Sequence, residues 1–268
     1  MTSSSTDADT VDTPNTNPFD LTGTTALVTG ASRGLGHAIA LELALAGADV
    51  VLGMRDPSAD HGLVAEITAL GRRALPVAMD VTDLDQSRAA IDRAVDEFGS
   101  LDILVNNAGG GIVSPALDVT EADFDAVWAL NTRSTFFLSQ HAARHMIASG
   151  GGSIVNVASQ AGLVALPGEA SYCIAKAGVV HLTRCLAVEW GEFGIRVNAV
   201  APTFIETDGT SAALSDPAFR ADTVERIAAL HRIGVPREVS GTVVYLASPA
   251  ASLVTGQTVA IDGGWTAR

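Results

Sequence analysis

The most constraining feature of this chain is an alternation. Short runs rich in Val, Ile and Leu, bounded by Gly, Asn and Asp, are each followed by a longer stretch with helical periodicity. Strands are expected at Thr25–Val28, Asp49–Gly53, Leu75–Met79, Ile103–Val105, Ser153–Val157, Arg196–Val200 and Thr258–Ile261. Helices are expected at Gly34–Leu45, Leu63–Leu70, Leu84–Phe98, Tyr172–Glu189 and Val239–Ala247. A long helical region, Glu121–Ile147, is broken near Asn131, where an amide is a poor helix former, and Thr203–His231 is polar and irregular with helical pieces. Strands that are apolar throughout are buried on both faces, which requires a parallel sheet with helices on either side. No linker-like stretch and no internal repeat divides the chain. The expectation is one α/β domain over 18–268, a doubly wound parallel sheet of about seven strands.

Residues 1–17 are rich in Ser, Thr, Asp and Asn and are expected to form a disordered tail. They lack the basic start and apolar stretch of a secretory signal. No apolar run is long enough to cross a bilayer, so no membrane partner is expected. The formal net charge of −14 repels a polyanion, which argues against nucleic acid. Cys173 and Cys185 fall on one expected helix, about 18 Å apart along its axis. That is too far for a disulfide, and two unpaired thiols suit a reducing cytoplasm.

Thr29-Gly30-Ala31-Ser32-Arg33-Gly34-Leu35-Gly36 follows the first strand and opens the first helix. Glycines let a backbone turn sharply and approach a pyrophosphate, and a helix N-terminus offers free N–H groups with a positive dipole end. In this strand–turn–helix context the spacing points to a dinucleotide. The end of the second strand normally reads the adenosine ribose, and an acid there selects NAD. Here it carries Met54 and Arg55, with Arg33 in the cradle. Two guanidiniums without a carboxylate suit a 2′-phosphate, favouring NADP(H) over NAD(H), although Asp56 could neutralise Arg55.

Tyr172 and Lys176 stand at i and i+4, on one helix face. Lys176 is the only lysine of the chain and Tyr172 one of two tyrosines, which makes a chance pairing hard to credit. A nearby ammonium should lower the phenol from its usual ~10 and make it an acid/base near neutrality. Ser159 ends a strand, where parallel sheets place their ligands, and its hydroxyl can bond a reacting oxygen.

With the cradle, Asn131, Ser159, Tyr172 and Lys176 in this order, the chain resembles the short-chain dehydrogenase/reductase family from about Phe19 to its C-terminus. Asn106-Asn107-Ala108-Gly109, Asp80, Arg196-Val197-Asn198 and Asp262-Gly263-Gly264 are further matches. The resemblance implies a Rossmann fold and an alcohol–carbonyl oxidoreductase. Tyr172 would pass the proton, Ser159 polarise the carbonyl, Lys176 lower the phenol and hold the nicotinamide ribose, and Asn131 anchor a water. It also implies cofactor contacts at Gly30, Ser32, Arg33, Leu35, Gly36, Arg55, Asp80, Val81, Asn107, Ala108, Gly109, Pro202, Ile205 and Thr207, alongside Tyr172 and Lys176. Substrate would meet Ser159, Gln160, Tyr172 and Thr203. Where the family has Pro-Gly after the sixth strand, this chain has Pro202-Thr203, a change that bears on the substrate mouth rather than the chemistry.

Phe19-Asp20-Leu21-Thr22-Gly23, Ile67–Arg73 and Asp262–Arg268 resemble the gluconate and deoxygluconate dehydrogenase branch, implying a sugar acid or polyol as substrate. A 3-oxoacyl-[acyl-carrier-protein] reductase shares every catalytic motif and would need a basic docking patch. A non-catalytic dinucleotide sensor would not need the intact Asn–Ser–Tyr–Lys set. His141 and His145 have metal-ligand spacing but no evident third ligand, so no metal is expected. Gly109-Gly110-Gly111 suggests a loose turn above the cofactor. Apolar residues on more than one helix face, including Phe136, Phe137, Val180 and Leu186, point to a homotetramer with Trp265 buried against a neighbour.

Overall fold

A computed structural model of the chain describes residues 17–267. The expected tail, 1–17, lies outside the described residues except for Asn17. Seven parallel strands form one sheet in the order β3-β2-β1-β4-β5-β6-β7. They are β1 (Thr25–Thr29), β2 (Asp49–Met54), β3 (Ala74–Ala78), β4 (Ile103–Asn106), β5 (Gly152–Val157), β6 (Ile195–Pro202) and β7 (Thr258–Ile261). The order reverses between β1 and β4, the switch point where open α/β sheets bind ligands.

The helices are α1 (Gly34–Leu45), α2 (Leu63–Ala69), α3 (Leu84–Phe98), α4 (Glu121–Trp128), α5 (Ser134–Ser149), α6 (Ala170–Trp190), α7 (Asp208–Leu214), α8 (Pro217–Arg226) and α9 (Pro236–Ala247). Strand periodicity explains the two cores. On β1, Ala26 and Val28 face one side with Ile39 and Leu43 of α1 and Val243 of α9. Leu27 faces the other with Ile91 of α3, Leu138 of α5 and Leu186 of α6. Val50 and Leu52 against Val51, and Ile103 and Val105 against Leu104, repeat the division. Each Val, Leu or Ile among them contributes roughly 1.5–3 kcal/mol by leaving water. No helix among the described residues is long and apolar enough to cross a membrane.

The break expected at Asn131 is a single π-helical turn, Ala129–Arg133, between α4 and α5. Such turns concentrate at functional sites because the wider ring displaces side chains from regular positions. The irregular stretch after β6 contains α7 and α8. The proposed neighbour contact of Trp265 is not needed for its burial: Leu214, Ile227 and Ile233 of its own chain cover it, and the Phe204 ring lies 5.9 Å away. Val180 and Leu186 are likewise buried within the chain.

Candidate active site

The strand C-termini open on a cleft of about 1070 Å³. Every residue expected at the cofactor lines it, from Gly30 and Arg33 at one end to Ile205 and Thr207 over the middle and Tyr172 and Lys176 at the other. Met79, Thr82, Leu130 and Thr210 also line it and were not anticipated. Their loops reach the cleft only through the tertiary fold.

At the cradle Gly30 has φ +66°, a conformation L side chains avoid. A Cβ on Gly36 would strike the Gly30 carbonyl and the Asn107 amide, so the first turn of α1 can approach only as glycine. That turn carries no acid and no side-chain cap, leaving its N–H groups and positive dipole end for an anion. Asn107 braces the cradle: its Nδ2 donates to Thr29 O (2.8 Å), while Thr29 Oγ1 accepts from the Asn107 and Ala108 N–H groups, both at 2.9 Å. Asn106, buried below, donates to Ser139 Oγ and Asn156 Oδ1, and Asn156 donates in turn to Thr183 Oγ1. This polar ladder ties β4 and β5 to α5 and α6.

At the adenosine corner, Asp56 does not neutralise Arg55. Its carboxylate accepts from the Ser58 N–H (2.9 Å) and hydroxyl (2.7 Å). Asp80 is similarly occupied by Thr82 at 2.9 and 2.7 Å, which holds its carboxyl below the usual range. Among the described residues neither Arg33 nor Arg55 forms an ion pair.

At the far end, α6 presents Tyr172 and Lys176 to the cleft, with Lys176 Nζ 5.6 Å from the Tyr172 ring centre. Lys176 is buried and donates to Val157 O at 2.8 Å. Burial pulls its ammonium down to about 8. The expected lowering of Tyr172 is not what the fold produces. Desolvation pushes the phenol up to about 12, opposed in part by a hydrogen bond with Ser159 and reinforced by Glu169.

Ser159 Oγ donates to Gln160 Oε1 (2.7 Å) and accepts from the Ala161 N–H (3.1 Å). Gln160 is buried behind Ser159 and is not on the cleft wall. Asn131 too stands behind the wall. Its Nδ2 donates to Gly110 O and Val127 O, each at 2.8 Å, and its Oδ1 accepts from the Gly110 N–H at 3.2 Å. Gly109-Gly110-Gly111 is therefore a tight wall and not a loose turn. A Cβ on Gly109 would lie 2.8 Å from Asn131 Oδ1 and 3.1 Å from Lys176 Nζ, and one on Gly111 would lie 3.1 Å from the Tyr172 ring. Thr203 lines the cleft, its N–H bonded to Ile261 O (3.1 Å) and its hydroxyl buried without a partner.

These features fit a nicotinamide dinucleotide. The uncapped α1 and its glycines would take the pyrophosphate, and Lys176, with one protein partner for three donors, would take ribose hydroxyls.

A family model described as enoyl-(acyl carrier protein) reductase matches residues 30–266. The chain is 44% identical over 255 residues to 2-dehydro-3-deoxy-D-gluconate 5-dehydrogenase of Escherichia coli (strain K12), covering 93% of this chain and 98% of that protein. It is 38% identical over 250 residues to D-threitol dehydrogenase of Mycolicibacterium smegmatis (strain ATCC 700084 / mc(2)155), covering 93% and 95%. Among solved structures it resembles a gluconate 5-dehydrogenase from Burkholderia cenocepacia J2315 in complex with NADP and tartrate. There the TM-score is 0.89 at 37% identity, covering 94% of this chain and 98% of that one. Sheet order, cleft and relatives agree: the chain belongs to the short-chain dehydrogenase/reductase family, whose members bind NAD(P).

Proposed function

We propose that this chain, acting as one catalytic unit over 18–268, interconverts a secondary alcohol and a ketone on a polyol or sugar acid, with NADP(H) preferred over NAD(H). The carrying observation is one cleft with the glycine cradle at one end and Ser159, Tyr172 and Lys176 at the other. The bound cofactor supplies or accepts the hydride at the carbon. Tyr172 gives the proton to the carbonyl oxygen in reduction and takes it back in oxidation. Ser159 hydrogen-bonds the same oxygen once its single hydroxyl hydrogen turns from Gln160 Oε1 to the substrate, while the Ala161 N–H holds Oγ in place. Lys176 holds the ribose, and Asn131 fixes the Gly110 wall that confines both.

Polyhydroxylated substrates are supported by the names of the relatives, which specify a dehydro-deoxygluconate and D-threitol. An acyl-carrier substrate is less well supported. Arginines of the β6–α9 connection that could dock an acidic carrier are paired, Arg226 with Asp222 (2.7 Å) and Arg232 with Glu238. The free thiols of Cys173 and Cys185 favour a cytoplasmic setting.

The test is turnover of purified protein with NADP⁺ and NAD⁺ on sugar acids, polyols, secondary alcohols and a 3-hydroxyacyl thioester. Turnover of a polyhydroxylated substrate, faster with NADP⁺, is the expected result. Activity confined to the thioester restores the acyl reductase, and cofactor binding without turnover restores the sensor. Replacing Arg33 and Arg55 by Ala should weaken NADP⁺ far more than NAD⁺, since each charge-assisted bond to a phosphate is worth roughly 1.5–3 kcal/mol. An unchanged KM for NADP⁺ rejects the phosphate corner.

A further inference from the structure

Away from the cleft, α3 and α5 bring three ligand-type side chains to one point. His141 and His145, a turn apart on α5, each place Nε2 against a single oxygen of Asp92 on α3, at 2.7 and 2.8 Å. Their rings stand 5.2 Å apart and nearly perpendicular, and the three ligand atoms lie within 4.8 Å of one another. We propose that Asp92, His141 and His145 form a divalent transition-metal site, filled by Zn²⁺, that links α3 to α5.

The donor set is right for such an ion. Two imidazole nitrogens and one carboxylate oxygen suit Zn²⁺, with remaining positions taken by water. The geometry is nearly assembled. The i, i+4 spacing places both imidazoles on one face of α5, and packing limits their rotation, with side-chain exposures of 16% and 31%. Asp92 is half exposed, so solvent reaches the point where the three converge. Zinc–ligand bonds of about 2.0–2.2 Å put neighbouring donors roughly 3.3 Å apart in a tetrahedron. Asp92 must therefore retreat by about half an ångström from each nitrogen. Among the described residues its side chain hydrogen-bonds only the two histidines, so nothing else restrains it.

Without metal the same three residues form a hydrogen-bonded group. Both Nε2–H groups then point at one oxygen, and these bonds hold the Asp92 carboxyl below its usual range against the opposing effect of burial. A cation would take the two Nε2 lone pairs, each ring then carrying its proton on Nδ1. The affinity is limited, because His141 Nδ1 is buried with no partner among the described residues. Outer-shell bonds of that kind are typically worth 10–100-fold in metal affinity, so micromolar binding is expected, not that of a structural zinc.

The experiment uses full-length protein without a polyhistidine tag, stripped with chelator. Calorimetric titration with Zn²⁺ should show one ion per chain, and about 100 μM Zn²⁺ should raise Tm by mass action. Cobalt substitution should give a visible d–d spectrum. Asp92→Asn and His145→Gln should each lose the stoichiometric ion, the Tm rise and the cobalt spectrum, while turnover with NADP⁺ stays within twofold of wild type. His145 is partly exposed, so its variant reports even if the Asp92 variant folds poorly. The proposal is overturned if wild type shows no Tm rise, or if both variants bind zinc as wild type does.

Discussion

Tyr172 and Lys176 are each held away from their ordinary protonation behaviour, in opposite senses and for one reason. Burial disfavours phenolate and ammonium alike, pushing the tyrosine up to about 12 and the lysine down to about 8. For Tyr172→Phe, cofactor titration should be unchanged while kcat falls about 10²–10⁴-fold, the usual worth of a positioned acid/base. Retention of more than about a tenth of kcat would exclude the role. Lys176 makes a separate prediction about stability. Its folded pKa lies below its unfolded value of 10.5, so between about pH 8 and 10.5 the unfolded chain binds more protons. Ligand-free wild type should therefore gain stability relative to Lys176→Met as pH rises through that window, by up to about 3 kcal/mol. Below pH 8 the difference should be flat. Denaturant midpoints of both proteins from pH 7 to 10 would show it, and a pH-independent difference would contradict it.

At the scale of elements, the π-helical turn and the triglycine wall act together. The turn sets Asn131 where its amide clamps both the N–H and the carbonyl of Gly110. Thr132, in the same turn, donates to Ala175 O of α6 at 2.9 Å, tying the wall's support to the helix that carries Tyr172 and Lys176. Gly109→Ala would push a methyl against Asn131 Oδ1 and Lys176 Nζ, and Gly111→Ala would push one against the Tyr172 ring. Both variants should fold, since neither glycine has a positive φ. Gly109→Ala should raise KM for the cofactor with a moderate fall in kcat, and Gly111→Ala should chiefly lower kcat. Steady-state kinetics beside far-UV circular dichroism would separate these effects. Wild-type kinetics in both variants would show that the wall yields without consequence.

For the whole molecule, the expected homotetramer would have to rest on different residues from those the sequence suggested. Val180, Leu186 and Trp265 are already buried by their own chain. What the fold leaves exposed on α4, α6 and the adjoining loop is Leu117 (99%), Trp128, Ile174 and Val188 (86%). An apolar set of this size is typically covered by a partner, and closed two-fold packing is the commonest way to do it. Light scattering at micromolar concentration should give about four times 27.4 kDa. Ile174→Asp combined with Val188→Asp should lower that mass without altering the far-UV spectrum. A wild-type mass near one chain would rule assembly out.

Much of this protein was legible along the chain because its signals are local. Apolar strands set at helical intervals dictate a doubly wound parallel sheet, since only helices on both faces can bury them. The glycine cradle and the Tyr172–Lys176 pair are contiguous motifs, so their places at the cleft could be expected before any coordinates. What local pattern could not decide depends on desolvation and on contacts between distant segments. The direction of the Tyr172 shift follows from how deeply the fold buries it. The tight wall at Gly109–Gly111 exists because α6 and the π-helical turn close on it from far along the chain. The third member of the Asp92–His141–His145 group lies 49 residues from the nearer histidine and meets it only because α3 packs on α5.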